Sequence, residues 1–202
     1  KICILDEPLQ MADPRTAFTT NPWDECEVEW THRGVSPMYG GEPVNDDGSP
    51  LSEDHSGGFA RGHYEQHMAV EGTVRVGNDA WHLRGFGLRD HSWGPRYWQA
   101  PYYYRWLTAN FGDGAGFVVS VITGRDGSKR MGGMILRNGE YEHIREAEVH
   151  TQWTGDDCYH ESLTATARTA DGEYRISGSV INLIPLRNRR TSPEGEQLVT
   201  RI

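Results

Sequence analysis

Between residues 77 and 172 the chain is cut at short intervals by turn signals: Gly-Asn-Asp at 77–79, Gly-Asp-Gly at 112–114, Arg-Asp-Gly at 125–127, Arg-Asn-Gly at 137–139 and Asp-Gly at 171–172. Glycine and asparagine accept the positive φ that tight connections between antiparallel strands demand, so each signal marks a hairpin. The segments between them, such as RWLTANF and GFVVSVITG, are too short for helices and rich in strand formers. Two stretches alternate with period two. Cys26, Val28 and Trp30 alternate with Glu25, Glu27 and Glu29, and Leu163, Ala165 and Ala167 share one face of a later segment. EYEHIREAEVHTQW has a helical composition, but its bounding turns and length favour two short strands or one long bent strand. The sum is an all-β class with roughly ten strands, an antiparallel sandwich or barrel. Residues 1–24 read as a short apolar piece followed by a proline-rich loop, and 34–58, with no periodicity, as a long loop or flap.

A chain of 202 residues can bury a real core as one large β domain or two small ones. Its 20 basic residues against 29 acidic ones give a net charge of -9, which leaves no basic field to gather phosphates and excludes nucleic acid as the expected partner. Cys3, Cys26 and Cys158 are far apart, without the spacing of a zinc knuckle or a disulfide framework. No apolar run approaches the roughly 20 residues that cross a bilayer, and no signal-peptide layout opens the chain. These features predict a soluble cytoplasmic protein. The first residue, lysine, and a strand-like LVTRI at the end predict a piece of a longer chain.

The densest chemistry lies in residues 85–106, GFGLRDHSWGPRYWQAPYYYRW, where seven aromatic side chains follow Gly87. Gly85, Gly87, Gly94 and Pro95 predict a tight loop between Arg89 and Arg96. Asp90 beside His91 offers a carboxylate that can fix an imidazole tautomer and raise its basicity. Trp93, Trp98, Tyr102, Tyr103, Tyr104 and Trp106 offer flat apolar walls with polar tips, and Arg96 adds a cation, as in an apolar pocket holding a few ionisable groups. A structural ion pair between Arg89 and Asp90, with the aromatics as plain core, is the competing reading.

His63 and His67, with His55 upstream, form the one histidine grouping. On a helix HxxxH suits a metal, but these flanks predict strand, where positions four apart on one face are separated by about 13 Å. No metal site and no cofactor are expected, and the histidines read as structural or pocket-lining. P-loop, GxGxxG, GxSxG and HExxH signatures are absent from the sequence.

With GFG before it and the aromatic run after it, RDHSWGPR resembles the carotenoid 1,2-hydratase (hydroxyneurosporene synthase) superfamily and its AttH-like relatives. GHYEQ, DGEYRISGSV and the IPL at 184–186 are similar too, so the resemblance spans about residues 59–188. It implies two successive lipocalin-like β domains, placed here at 1–84 and 85–202, and a cavity for large apolar molecules. It also implies that His91 and Trp93 line the active site. The family's Tyr-x-Asp proton source has no match between Tyr104 and Tyr141, which leaves Asp90 as the acid or as the residue that orients His91.

The expected function is therefore lyase- or isomerase-like. Hydration, dehydration, double-bond isomerisation or cyclisation would act on a hydrophobic terpenoid, steroid or polyene, with His91 and Asp90 catalytic and Trp93, Arg96, Trp98, Tyr102, Tyr103, Tyr104 and Trp106 holding the substrate. A non-catalytic carrier of hydrophobic ligands and a β-rich interaction module are the alternatives, and homo-oligomerisation stays open.

Overall fold

The computed structural model describes residues 1–42, 49, 61–94, 101–112, 114–156, 159–191 and 195–201. In chain order the strands are β1 (Ile2–Cys3), β2 (Trp23–Asp24), β3 (Cys26–Gly34), β4 (Tyr39–Gly41), β5 (Gly62–Val76) and β6 (Asp79–Trp93). They continue as β7 (Tyr103–Gly112), β8 (Ala115–Thr123), β9 (Lys129–Arg137), β10 (Glu140–His143), β11 (Glu146–Thr154), β12 (Tyr159–Arg168), β13 (Glu173–Ser179), β14 (Arg187–Thr191) and β15 (Gln197–Arg201). With 64% strand against 7% helix and antiparallel pairing throughout, the all-β class read from the turns is the class the chain adopts. Among the described residues the ladders do not close into one barrel but form separate sheets.

The turn chemistry sets these ladders. Val76 faces Asp79 across a two-residue turn whose first central residue, Gly77, has φ +56, the glycine-first geometry that matches strand twist. Between Arg137 and Glu140 both central residues, Asn138 and Gly139, have positive φ (53 and 82), which asparagine tolerates better than other non-glycine residues. EYEHIREAEVHTQW forms two short strands, β10 and β11.

Strands β10-β9-β8-β7 make one four-stranded sheet, and β11-β12-β13 a three-stranded sheet packed on one of its faces. Val119, Ile135 and Ile144 meet Ala147 and Ala167 there, and Leu107, Phe117, Val149 and Ile176 complete the core. Two alanines on the opposing sheet keep its surface low, which leaves room for the branched side chains from β8 and β9. The other face of β8 and β9 carries Gly116, Val118, Met134 and Leu136. Register places Tyr141 beside Leu136 on that face, and both Gly116 and Tyr141 meet His67 of β5. The four-stranded sheet is thus covered on both sides, by β11–β13 on one and by part of the β5–β6 ribbon on the other.

Three local expectations are corrected. The proline-rich N-terminal segment is not all loop: Pro8–Ala12 is a 3-10 turn, and Pro14–Thr20 is a short helix, α1, with proline in its first turn, where its missing N–H costs nothing. Seven residues are too few for a helical period to show. The segment 34–58 contains β4, paired with β5, while 43–48 and 50–58 lie outside the described residues. The tight loop expected from Arg89 is strand through Trp93, because residues 89–93 pair with 62–66 of β5; glycine at 85 and 87 does not interrupt the ladder. Gly94, at φ +86, is where the ladder ends. No helix among the described residues is long and apolar enough to cross a membrane.

Candidate functional site

Strand periodicity decides which side chains meet. On β5, His63, Glu65 and His67 point to one face, toward the β7–β10 sheet, whereas Tyr64, Gln66 and Met68 point to the other. Residues directly opposite in the ladder share a face, so Asp90, opposite Glu65, joins His63 and Glu65, while His91, opposite Tyr64, faces away. The structure therefore separates Asp90 from His91. Asp90 Oδ1 lies 2.9 Å from Nε2 of His63, the diagonal neighbour across β5 and β6.

Glu65 sits deepest, 4% exposed. The indole N–H of Trp106 on β7 donates to its Oε1 at 2.7 Å, and His63 Nε2 is 4.0 Å from the same oxygen. Burial holds the Glu65 carboxyl above its ordinary range; the Trp106 hydrogen bond and His63 pull it down, and the nearby Asp90 charge pushes it further up. His63 and Asp90 are two-fifths exposed, so the group opens to solvent on one side. Bridging to a carboxylate oxygen requires the Nε2 hydrogen of His63, which leaves Nδ1 as the nitrogen with a free lone pair in the neutral ring.

One step further along β5, His67 is fully buried. Its Nε2–H donates to the carbonyl of Ala109 at 3.0 Å, so Nδ1 accepts from the Tyr141 hydroxyl at 3.3 Å. The backbone N–H of His67 donates to Ser36 Oγ, which in turn is hydrogen-bonded to Tyr141, closing a ring of three side chains. Burial lowers the His67 pKa against the opposing pull of the Ala109 and Phe117 carbonyls, and it raises that of Tyr141. A neutral imidazole with both nitrogens occupied clamps β5 to β7 and β10. It is a support for the site, not a reacting group.

The remaining sequence candidates are spread over several surfaces. His91 stacks with Tyr64 and Trp93 at centroid distances of 5.3 and 5.8 Å on the outer face, and Arg89 lies 5.1 Å from the Tyr64 ring. Trp93 covers Gly62, where any Cβ would collide with its ring, and donates to Glu42 at 2.9 Å. The run from Tyr102 to Trp106 splits by strand parity. Tyr104 and Trp106 face β5, whereas Tyr103 and Arg105 face the other side, with Arg105 4.9 Å from the ring of Trp153. Tyr102, 63% exposed, lies 5.8 Å from Tyr103. Arg96, Trp98, His55 and Cys158 lie outside the described residues; Cys3 and Cys26 are free thiols.

Glu65 and Tyr141 were not singled out by sequence reasoning. The signal for Glu65 was present in GHYEQH: once the segment is a strand, 63, 65 and 67 must share a face.

Fold and site together define an antiparallel all-β protein with a His–Asp pair and a buried carboxyl between the sheet of β3–β6 and a neighbouring sheet. The model of a family described as a domain of unknown function (DUF7064) matches residues 5–202, and the chain belongs to that family. No curated protein and no solved structure matches it.

Proposed function

We propose that the chain is an acid–base enzyme of the lyase or isomerase type, acting on a large hydrophobic alkene or alcohol. Its working groups are Glu65 and the His63–Asp90 pair. The observation that carries this reading is the nearly fully buried carboxyl of Glu65, raised from its ordinary range by burial, beside an imidazole oriented by a carboxylate. A carboxyl raised by burial and an imidazole beside it can divide the roles of acid and base. In hydration, Glu65 gives its proton to one alkene carbon, and His63 takes a proton from the water that adds to the other. Return of that proton from His63 to Glu65 restores the site, with alkene and water converted to alcohol. Dehydration runs the steps backward, and isomerisation omits the water. The Trp106 indole face, held by the same hydrogen bond that fixes Glu65, suits a cationic intermediate. The resemblance to carotenoid hydratases favours the same substrate class by a different set of residues.

The test is a panel of polyprenyl, steroid and polyene compounds, with binding followed by tryptophan fluorescence and turnover by mass spectrometry in D2O. Glu65→Gln should keep binding and lower turnover by about 100-fold or more. Compounds that bind yet never change mass or take up deuterium would sink the enzyme reading in favour of a carrier.

A second reading, a β-rich interaction module, is favoured by one observation. Val28, Val74 and Trp81 form one row across β3, β5 and β6, Trp30 and Leu83 flank Gly72 in the next, and all but Val74 are 45–51% exposed. Sedimentation of the wild type and of Trp30→Ser/Trp81→Ser separates the readings. A shift from a larger to a smaller species would support association through this face.

A further inference from the structure

We propose that His63, Glu65 and Asp90 form a binding site for one divalent first-row metal ion, with Zn2+ as its probe. One ligand atom from each residue lies within 4.8 Å of the others, and two of the separations are 2.9 and 4.0 Å. A tetrahedral ion with bonds of about 2.1 Å sets its ligand atoms about 3.4 Å apart, so small side-chain rotations about these positions suffice. The donors are held on two strands in fixed register. His63 and Glu65 are two apart on β5, and Asp90 is directly opposite Glu65 on β6. Sites built on paired strands hold their geometry better than sites on loops.

The donor set points the same way. One imidazole and two carboxylates balance a divalent charge and leave a coordination position for water or substrate, the arrangement of open zinc sites. The burial of Glu65 suits a bound cation. Glu65 is more than nine-tenths buried, its hydrogen bond comes from the neutral Trp106 indole, and its one basic neighbour among the described residues, His63, stands off at 4.0 Å. A buried carboxylate normally has a cation or a metal beside it. The Trp106 N–H would orient the liganding carboxylate from behind, as outer hydrogen bonds do in metal sites. The exposed sides of His63 and Asp90 give an ion its way in.

This site is distinct from the shared histidine site judged on spacing. His67 is engaged on both ring nitrogens by Ala109 and Tyr141, and the partners of His63 are carboxylates instead. It uses the residues of the acid–base reading but does not rest on their chemistry. An ion would take the place of the His63–Asp90 hydrogen bond.

The experiment is calorimetric titration of EDTA-treated, dialysed full chain with ZnCl2 and, separately, MnCl2. One ion per chain with micromolar or tighter affinity is expected. His63→Ala, Glu65→Gln and Asp90→Asn should each weaken it at least 10-fold, and His150→Ala, a highly exposed histidine elsewhere, should not. Circular dichroism melts establish that each variant is folded, and the Co2+ visible spectrum of the wild type reports ligand geometry without any substrate. Absence of one-to-one binding, or binding indifferent to all three substitutions, overturns the site. Turnover by the metal-free protein bears on the acid–base reading alone, so either can fail without the other.

Discussion

At one end of the β5–β6 ribbon a carboxylic acid and an imidazole, Glu65 and His67, are 4% and 0% exposed; toward the hairpin turn Trp81 and Leu83 are each 47% exposed. Both ends belong to one continuous antiparallel ladder. The two pairs lie on opposite faces of it, and what differs is the surface laid against each face. The first end lies on the β7–β10 sheet, and the apolar face of the second has no described element over it. Burial of a half-polar strand is therefore imposed by the neighbouring sheet, and the polar residues survive it because their buried atoms are partnered. Trp106 serves Glu65, and Ala109, Tyr141 and Ser36 serve His67. A buried donor or acceptor left unpaired would cost about 1–3 kcal/mol.

The hardest test of that contrast is His67→Ala. It leaves the Ala109 carbonyl and the Tyr141 hydroxyl without their partner and opens a hole at the tightest point of the junction, so an equilibrium denaturant melt should show a loss of about 2–4 kcal/mol. A loss below 1 kcal/mol would mean that the junction is looser than its hydrogen bonds indicate. Trp81→Ser, on the uncovered face, should cost about 1 kcal/mol or less in the same assay. A cost matching that of His67→Ala would show that something covers this face in solution.

Glu65→Gln keeps the acceptor for Trp106 and removes the ionisation. Because burial raises the folded-state pKa of Glu65, the folded state binds more protons than the unfolded state once pH passes the ordinary carboxylate value. Stability from this group is then full at low pH and falls as pH rises through the raised value. The variant should match the wild type in acid and be the more stable of the two at higher pH. A constant difference across pH would remove the case for a dry carboxyl. The smallest effect belongs to Asp90→Ala, read by thermal melting. The pair it breaks is two-fifths exposed on both sides, so the loss should stay under about 1 kcal/mol, whereas a buried ion pair would cost several times that.

Of the fold, the hairpins were legible because their determinants are local: Gly77, Asn138 and Gly139 occupy the positive-φ positions that fix the turns. The β3 strand was legible too, but not its one wet face: Val28 and Trp30 are exposed along with the glutamates. Residues 89–93 of the expected Arg89–Arg96 loop are strand, through a pairing with β5 that no local signal announces and that glycine and proline punctuation concealed. The Asp90–His91 pair fell with it, since adjacency in sequence becomes opposition once the segment is a strand.

The sequence by itself determined the all-β class, the hairpin positions and the residue types available for chemistry, because these follow from backbone preference and period-two patterning over a few residues. Only the tertiary structure decided which of those residues meet. Asp90 reaches His63 through strands 27 positions apart in sequence, and Trp106 reaches Glu65 across 41. Such partners are set by sheet register and by which sheet packs on which face, and both depend on the whole chain.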